Sequence, residues 1–313
     1  MYAFLKKLLL FFTLFVVCYP IAILLFSFVP TQKLKKNILD KTGAYGHMNT
    51  RLKEAETIRN IDVLFLGSSH AYRGFDPRLF QQAGYRSFNL GSSSQSHIQT
   101  QQLLYQYLEQ LSPDLVIYEV FPGTLQVDGV ESSLDVLANG EIDRYALSMV
   151  LNVNHVKTYN AFILHSMYTL LGIDDNYQED ITINEDTYIT GGFVEKELRF
   201  NEEVRDLKTR WKINPKQLQS LKENIAFIRG KGIEVLLVMA PINKTNYARY
   251  ANRSEVDSIY NLLAAGQYIN YNKRDLELSD SIHFYDTHHL NQNGVEAFNK
   301  ELIQELPKYL SSK

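Results

Sequence analysis

The sequence predicts an α/β fold, a three-layer sandwich around a mostly parallel sheet, preceded by one N-terminal transmembrane helix. Three observations predict it. Short, continuous apolar runs such as Val63-Leu64-Phe65-Leu66 read as strands buried on both faces. These runs alternate with helix-length amphipathic stretches, the pattern of a sheet with helices on both sides. Residues 8 to 29 carry no charge and are long enough to match a bilayer's hydrocarbon core.

The elements follow in order. Residues 1–30 form the anchor, with Pro20 inside it, a residue that membrane helices tolerate better than soluble ones do. A cleaved signal peptide is the alternative, but no small-residue cleavage pattern stands at Ser27 to Pro30. Lys6 and Lys7 precede the span and Lys33, Lys35 and Lys36 follow it, so charge alone nearly ties on orientation. The short N-terminal segment favours an inward N-terminus. Residues 31–61 read as a connector that ends in a short polar helix from 48. The α/β domain is expected over 62–313. Its strands fall at 62–66, 87–90, 114–120 and 234–239, with a weaker fifth at 268–271. Helices are expected at 95–111, 215–230, 252–265 and 294–310. Residues 123–212 break the alternation and read as an insertion with lid-like or specificity loops.

Composition narrows the function. At 45% hydrophobic and 21% charged residues the chain supports a full core. A net charge of -3, with no long Lys/Arg block, argues against a nucleic-acid partner. The one cysteine, Cys18, lies in the apolar span, so the rest of the chain has no disulfide, thiolate metal site or cysteine nucleophile.

Two segments carry chemistry. Gly67-Ser68-Ser69-His70 follows the first strand, and Asp286-Thr287-His288-His289 precedes the last helix. A serine hydroxyl is a weak nucleophile until a positioned base takes its proton. Asp286 and His289 are three apart, close enough for the carboxylate to hold one imidazole nitrogen while the other faces Ser69. Each piece alone has a plainer reading: a polar turn at 67–69, and an aspartate capping the last helix. Because ligands in parallel sheets sit beyond the strands' carboxyl ends, the serine turn, the Gly91 turn and the Pro122 turn converge on one edge. His70, Tyr72, Arg73, Ser94 and His288 are expected to line the mouth of the site. His70 and His288 do not make up the three or four converging ligands of a zinc centre, so no metal and no cofactor is expected.

These blocks resemble the SGNH (GDSL-like) hydrolase superfamily over about 62 to 310. The resemblance implies Ser69 as nucleophile, His289 and Asp286 as its base and orienting acid, and the amides of Ser69 and Gly91 as oxyanion donors. Two positions depart from that family's pattern. Ser68 stands in place of the first block's aspartate. Tyr118-Glu119-Val120-Phe121-Pro122 offers no asparagine where the third block has one. The membrane-anchored form resembles envelope proteins that esterify teichoic acids or O-acetylate polysaccharides. That likeness implies an outward-facing domain on a bacterial inner membrane. It also implies an acylated polysaccharide or other acyl donor as substrate, and a membrane-bound O-acyltransferase as partner. The alternative is a non-catalytic member of the fold that holds a glycan or a partner enzyme.

Overall fold

The computed structural model describes residues 1–29, 43, 45–173, 177–202 and 207–310. Residues 31–42 and 44 of the expected connector, with Lys33, Lys35 and Lys36 among them, lie outside the described residues. The chain opens with α1 (Tyr2–Ser27), an apolar helix of 26 residues that contains Pro20. It is long and apolar enough to cross a membrane. It begins ahead of the uncharged run because Lys6 and Lys7 are themselves good helix formers.

The central sheet is fully parallel. Its strands are β1 (Val63–Leu66), β2 (Ser87–Asn89), β3 (Leu115–Glu119), β7 (Glu234–Met239) and β8 (Tyr268–Asn270), in the order β2-β1-β3-β7-β8. Their alternating side chains feed two cores. Leu64, Leu66, Val116, Tyr118, Leu237 and Met239 face α2 (Met48–Ala55), α5 (His97–Leu111), α9 (Pro215–Gly230) and α11 (Arg253–Ala264). Val63, Phe65, Ile117, Leu236 and Val238 face α4 (Pro77–Gln82) and α12 (Gln292–Glu305). The result is three layers with the sheet in the middle.

Three expectations need correction. The short helix near 48 belongs to the core, not to a connector: Met48, Leu52 and Ala55 are fully buried against the sheet. The last helix does not run unbroken to Leu310. It ends at Glu305, and Pro307, which has no N–H to donate, opens a separate turn, α13 (Pro307–Leu310).

The third concerns the polar part of the stretch after β3; its helical part stands where the sequence puts helical patches, at 143–151 and 158–171. The stretch holds α6 (Val130–Asn139), α7 (Arg144–Val153) and α8 (Val156–Leu171). Where the sequence reads as polar loop, an antiparallel sheet forms from β4 (Thr182–Ile183), β5 (Asp186–Ile189) and β6 (Phe193–Lys196). The Asn89 amide donates to the Gly191 carbonyl at 2.9 Å, so this sheet's turn covers the edge strand β2.

Strand order fixes the place of the site. From β1 the chain moves outward to β2, then crosses back to β3 on the other side. That reversal opens a crevice beyond the carboxyl ends of β1 and β3.

Candidate active site

The turn that leaves β1 is built to expose Ser69. Gly67 has φ +140°, a backbone that other residues rarely adopt, and a Cβ there would come within 2.8 Å of the Glu119 Cβ on β3. Ser68 then caps the short helix α3 (Ser69–Tyr72), its hydroxyl accepting from the His70 amide. Ser69 is thereby the first residue of that helix, beside the crevice.

From the far end of the chain, the segment before α12 brings in the other two groups. Ser69 Oγ lies 2.8 Å from His289 Nε2. His289 Nδ1 lies 2.8 Å from Asp286 Oδ2. The other carboxylate oxygen, Oδ1, accepts from the amides of His288 at 2.8 Å and His289 at 2.7 Å. Burial pushes the Asp286 carboxyl up, but the hydrogen bond from His289 and the charges of His289 and His288 outweigh it. The carboxyl is held far below its ordinary range. An ionised Asp286 fixes the proton on His289 Nδ1 and leaves Nε2 free to accept from the serine.

The imidazole of His289 is clamped between rings. Tyr285 stacks on it at 5.3 Å and 5°, and His70 at 4.7 Å and 28°. His70 is itself buried, stacked on Phe121 at 4.1 Å, with Nδ1 3.2 Å from the Ser68 hydroxyl. Burial, reinforced by His289 and His288, holds His70 well below its ordinary value, so it is a neutral ring. It therefore backs the site instead of lining its mouth. His288 packs beside it, with its ring 4.0 Å from that of His289. His70, His288 and His289 bring nitrogens within 4.8 Å of one another. Both nitrogens of His289 are engaged by Ser69 and Asp286, so in this arrangement the trio offers two ligands, short of a zinc set.

Gly91 also departs from expectation. Its amide donates to Asn89 Oδ1 at 2.9 Å and is not turned to Ser69. The small residue has a packing reason instead: a Cβ would meet Ala71 and the Ser68 carbonyl at 3.0 Å. The Ser69 and Ser93 amides, by contrast, have no partner among the described residues. Sequence reasoning missed Asn89. An asparagine at a strand's carboxyl end, two residues before a glycine, was the available signal.

Beside the crevice, Tyr45, Tyr72, Arg73, Ser93, Asn184 and Lys196 line part of a cavity of about 280 Å³. Arg73 is fixed there by a two-pronged bond to Asp186, at 2.8 and 2.7 Å. Ser94 is not among the lining residues; its hydroxyl points to Glu131 at 3.4 Å.

Glu119, at the end of β3, is buried beneath the Gly67 turn. Neither oxygen makes a well-formed hydrogen bond among the described residues. Burial pushes its carboxyl up to about 8, an effect that the nearby Phe121 and Ala240 amides and the Ser68 hydroxyl only partly offset. Burial thus favours its neutral form, and it lies beneath the Gly67 turn.

Comparisons with known proteins are sparse. No protein-family model matches the chain. No curated protein matches it either. Among solved structures, a Bacteroides fragilis protein described as a "putative acylhydrolase" aligns with a TM-score of 0.41 at 13% identity, over 83% of this chain and 95% of its own. A GDSL-like lipase from Bacteroides thetaiotaomicron aligns with a TM-score of 0.38 at 12% identity, over 83% and 98%. Both likenesses are distant, and the functional reading rests on the site's own geometry.

Proposed function

We propose that this chain is a membrane-anchored serine esterase or O-acyltransferase of the SGNH-like type. The observation that carries the reading is the unbroken relay from Ser69 Oγ through His289 to Asp286, with both links at 2.8 Å. His289 Nε2 takes the Ser69 proton as Oγ forms a bond to an ester carbonyl carbon. The oxyanion that results would face the Ser69 and Ser93 amides, which are available where the Gly91 amide is not. Collapse breaks the bond to the alcohol, which leaves with the proton from His289. Water or a sugar hydroxyl then gives a proton to His289 and attacks the acyl-Ser69. The acyl group departs as acid or new ester, and Ser69 recovers its proton.

An acylated cell-envelope polysaccharide is the preferred substrate. Supporting it is the polar, tyrosine-bearing cavity beside the serine turn; the apolar α1 supports a membrane anchor, and this reading puts that anchor in a bacterial inner membrane with the domain outside. Outside the cytoplasm there is no acyl-CoA pool, so a transferase of this kind would receive its acyl group through a multispanning membrane-bound O-acyltransferase. A second reading, a non-catalytic glycan- or enzyme-holding protein, is favoured by one observation: the expected Gly91 donor is turned onto Asn89.

A fluorophosphonate probe with peptide mapping separates the two. The first reading expects an adduct on Ser69 that disappears in His289→Ala. Absence of any Ser69 adduct in the folded wild-type protein would make the second reading the better one.

A further inference from the structure

The last third of α1 is packed on the domain. Tyr19 Oη donates to Asn160 Oδ1 at 2.7 Å, Ile23 is buried against Leu164, and Tyr168 Oη donates to Ser27 Oγ at 2.9 Å. The pairs 19/160, 23/164 and 27/168 advance together in steps of four. The two helices therefore run parallel, one face of each on the other.

This register constrains any membrane that α1 crosses. The uncharged stretch Leu8–Ser27 has 20 residues, about 30 Å of helix and about the thickness of a hydrocarbon core. Its last part, Tyr19 to Ser27, about 13 Å, runs alongside α8. If Lys6 and Lys7 reach back so that counting starts at Tyr2, twenty residues still end at Ile21, beyond Tyr19. A span by α1 takes part of α8 with it.

The composition of α8 fits that placement. Lys157 is its only Lys, Arg, Asp or Glu in 16 residues. A water-facing surface helix would place charges on its outer face. Here Val156 and Leu170 are 56% and 76% exposed, and Leu151 at the end of α7 is 58% exposed. Apolar side chains thus stand outward beside an apolar helix that shares their register.

We infer that α8 lies in the leaflet nearest the domain, docked beside α1 with Val156 and Leu170 toward lipid. The domain is then held against the bilayer in one orientation, not free on a tether. This rests on the reading of α1 as a membrane anchor.

The test uses the full chain in phosphatidylethanolamine–phosphatidylglycerol vesicles. The one native cysteine allows a clean background, Cys18→Ser. Single nitroxide labels go on Phe11→Cys in α1, Val156→Cys, Leu170→Cys, and Leu262→Cys, a water control that is 82% exposed in α11. Variants whose thermal midpoint matches the unlabelled protein are compared by power saturation with oxygen and a nickel chelate. The inference expects an oxygen-to-nickel accessibility ratio at Val156 or Leu170 close to that at Phe11 and several-fold above that at Leu262. Lipid-like values at Phe11 with water-like values at both α8 positions would overturn the docking while leaving the anchor. Water-like values at Phe11 would overturn the anchor, and the docking with it.

Discussion

The side chain of Asn89 accepts from the Gly91 amide at 2.9 Å and, through Nδ2, donates to the Ala71 carbonyl at 2.8 Å. One fully buried amide thereby ties the end of β2 to the helix that starts with Ser69. Asn89→Ala removes both bonds and leaves the buried Gly91 amide without its acceptor. Chemical denaturation should show a loss of about 1–3 kcal/mol. Turnover of an activated ester should fall more than KM rises, because Ser69 loses its backing. An unchanged midpoint with unchanged kcat would remove this role from Asn89.

Ser69 and His289 share one proton, so their losses should not add. With p-nitrophenyl acetate, Ser69→Ala, His289→Ala and the double variant should each lose at least about 10³-fold in kcat. Asp286→Asn should cost about 10²–10⁴-fold, since the amide can hold the wrong tautomer of His289. Near-wild-type turnover in Ser69→Ala would show that the ester is cleaved elsewhere.

Gly67 offers a purely structural check on the serine turn. Its φ of +140° and the 2.8 Å approach to the Glu119 Cβ leave no room for a side chain. Gly67→Ala should destabilise the protein by about 1–3 kcal/mol in urea unfolding. Activity should fall even in molecules that stay folded, because the strain is relieved by moving Ser68 and Ser69. A stable and fully active Gly67→Ala would mean that the turn is more pliable than its geometry implies.

Much of the fold was legible because burial wrote it plainly. The runs 63–66 and 235–239 are apolar throughout, since both faces of a central parallel strand are covered. The helix expected at 215–230 begins at Pro215, a favoured first helical residue. The antiparallel sheet over Thr182–Lys196 was not legible. Its strands are short, and β4 and β5 are only partly buried or exposed, so no alternating pattern marks them. The meeting of Ser69 with Asp286 and His289 was readable from strand-end positions and spacing. The donor geometry was not: whether an amide at Gly91 or Ser93 faces the crevice depends on loop torsions and on Asn89, which spacing does not encode. The protonation of Glu119 was equally hidden, since it follows from what covers the residue in space.

Glu119 gives the last prediction, on pH. Burial, the dominant cause, raises its carboxyl from an ordinary 4.5 to about 8 in the folded protein. Below the unfolded value both states hold the proton, and the full stability is present. Between about 4.5 and 8 the unfolded chain releases the proton while the folded chain keeps it. Stability should therefore fall as pH rises through that window, by up to about 1.4 kcal/mol per pH unit, and level off above it. Glu119→Gln keeps the shape and removes the titration. Asp135, also raised to about 8 chiefly by burial, adds the same slope to both proteins and cancels in their difference. Denaturant midpoints measured from pH 5 to 9 should thus show the variant gaining on the wild type until about pH 8. Parallel curves would mean that Glu119 titrates alike in both states and that a partner ionises it in the fold.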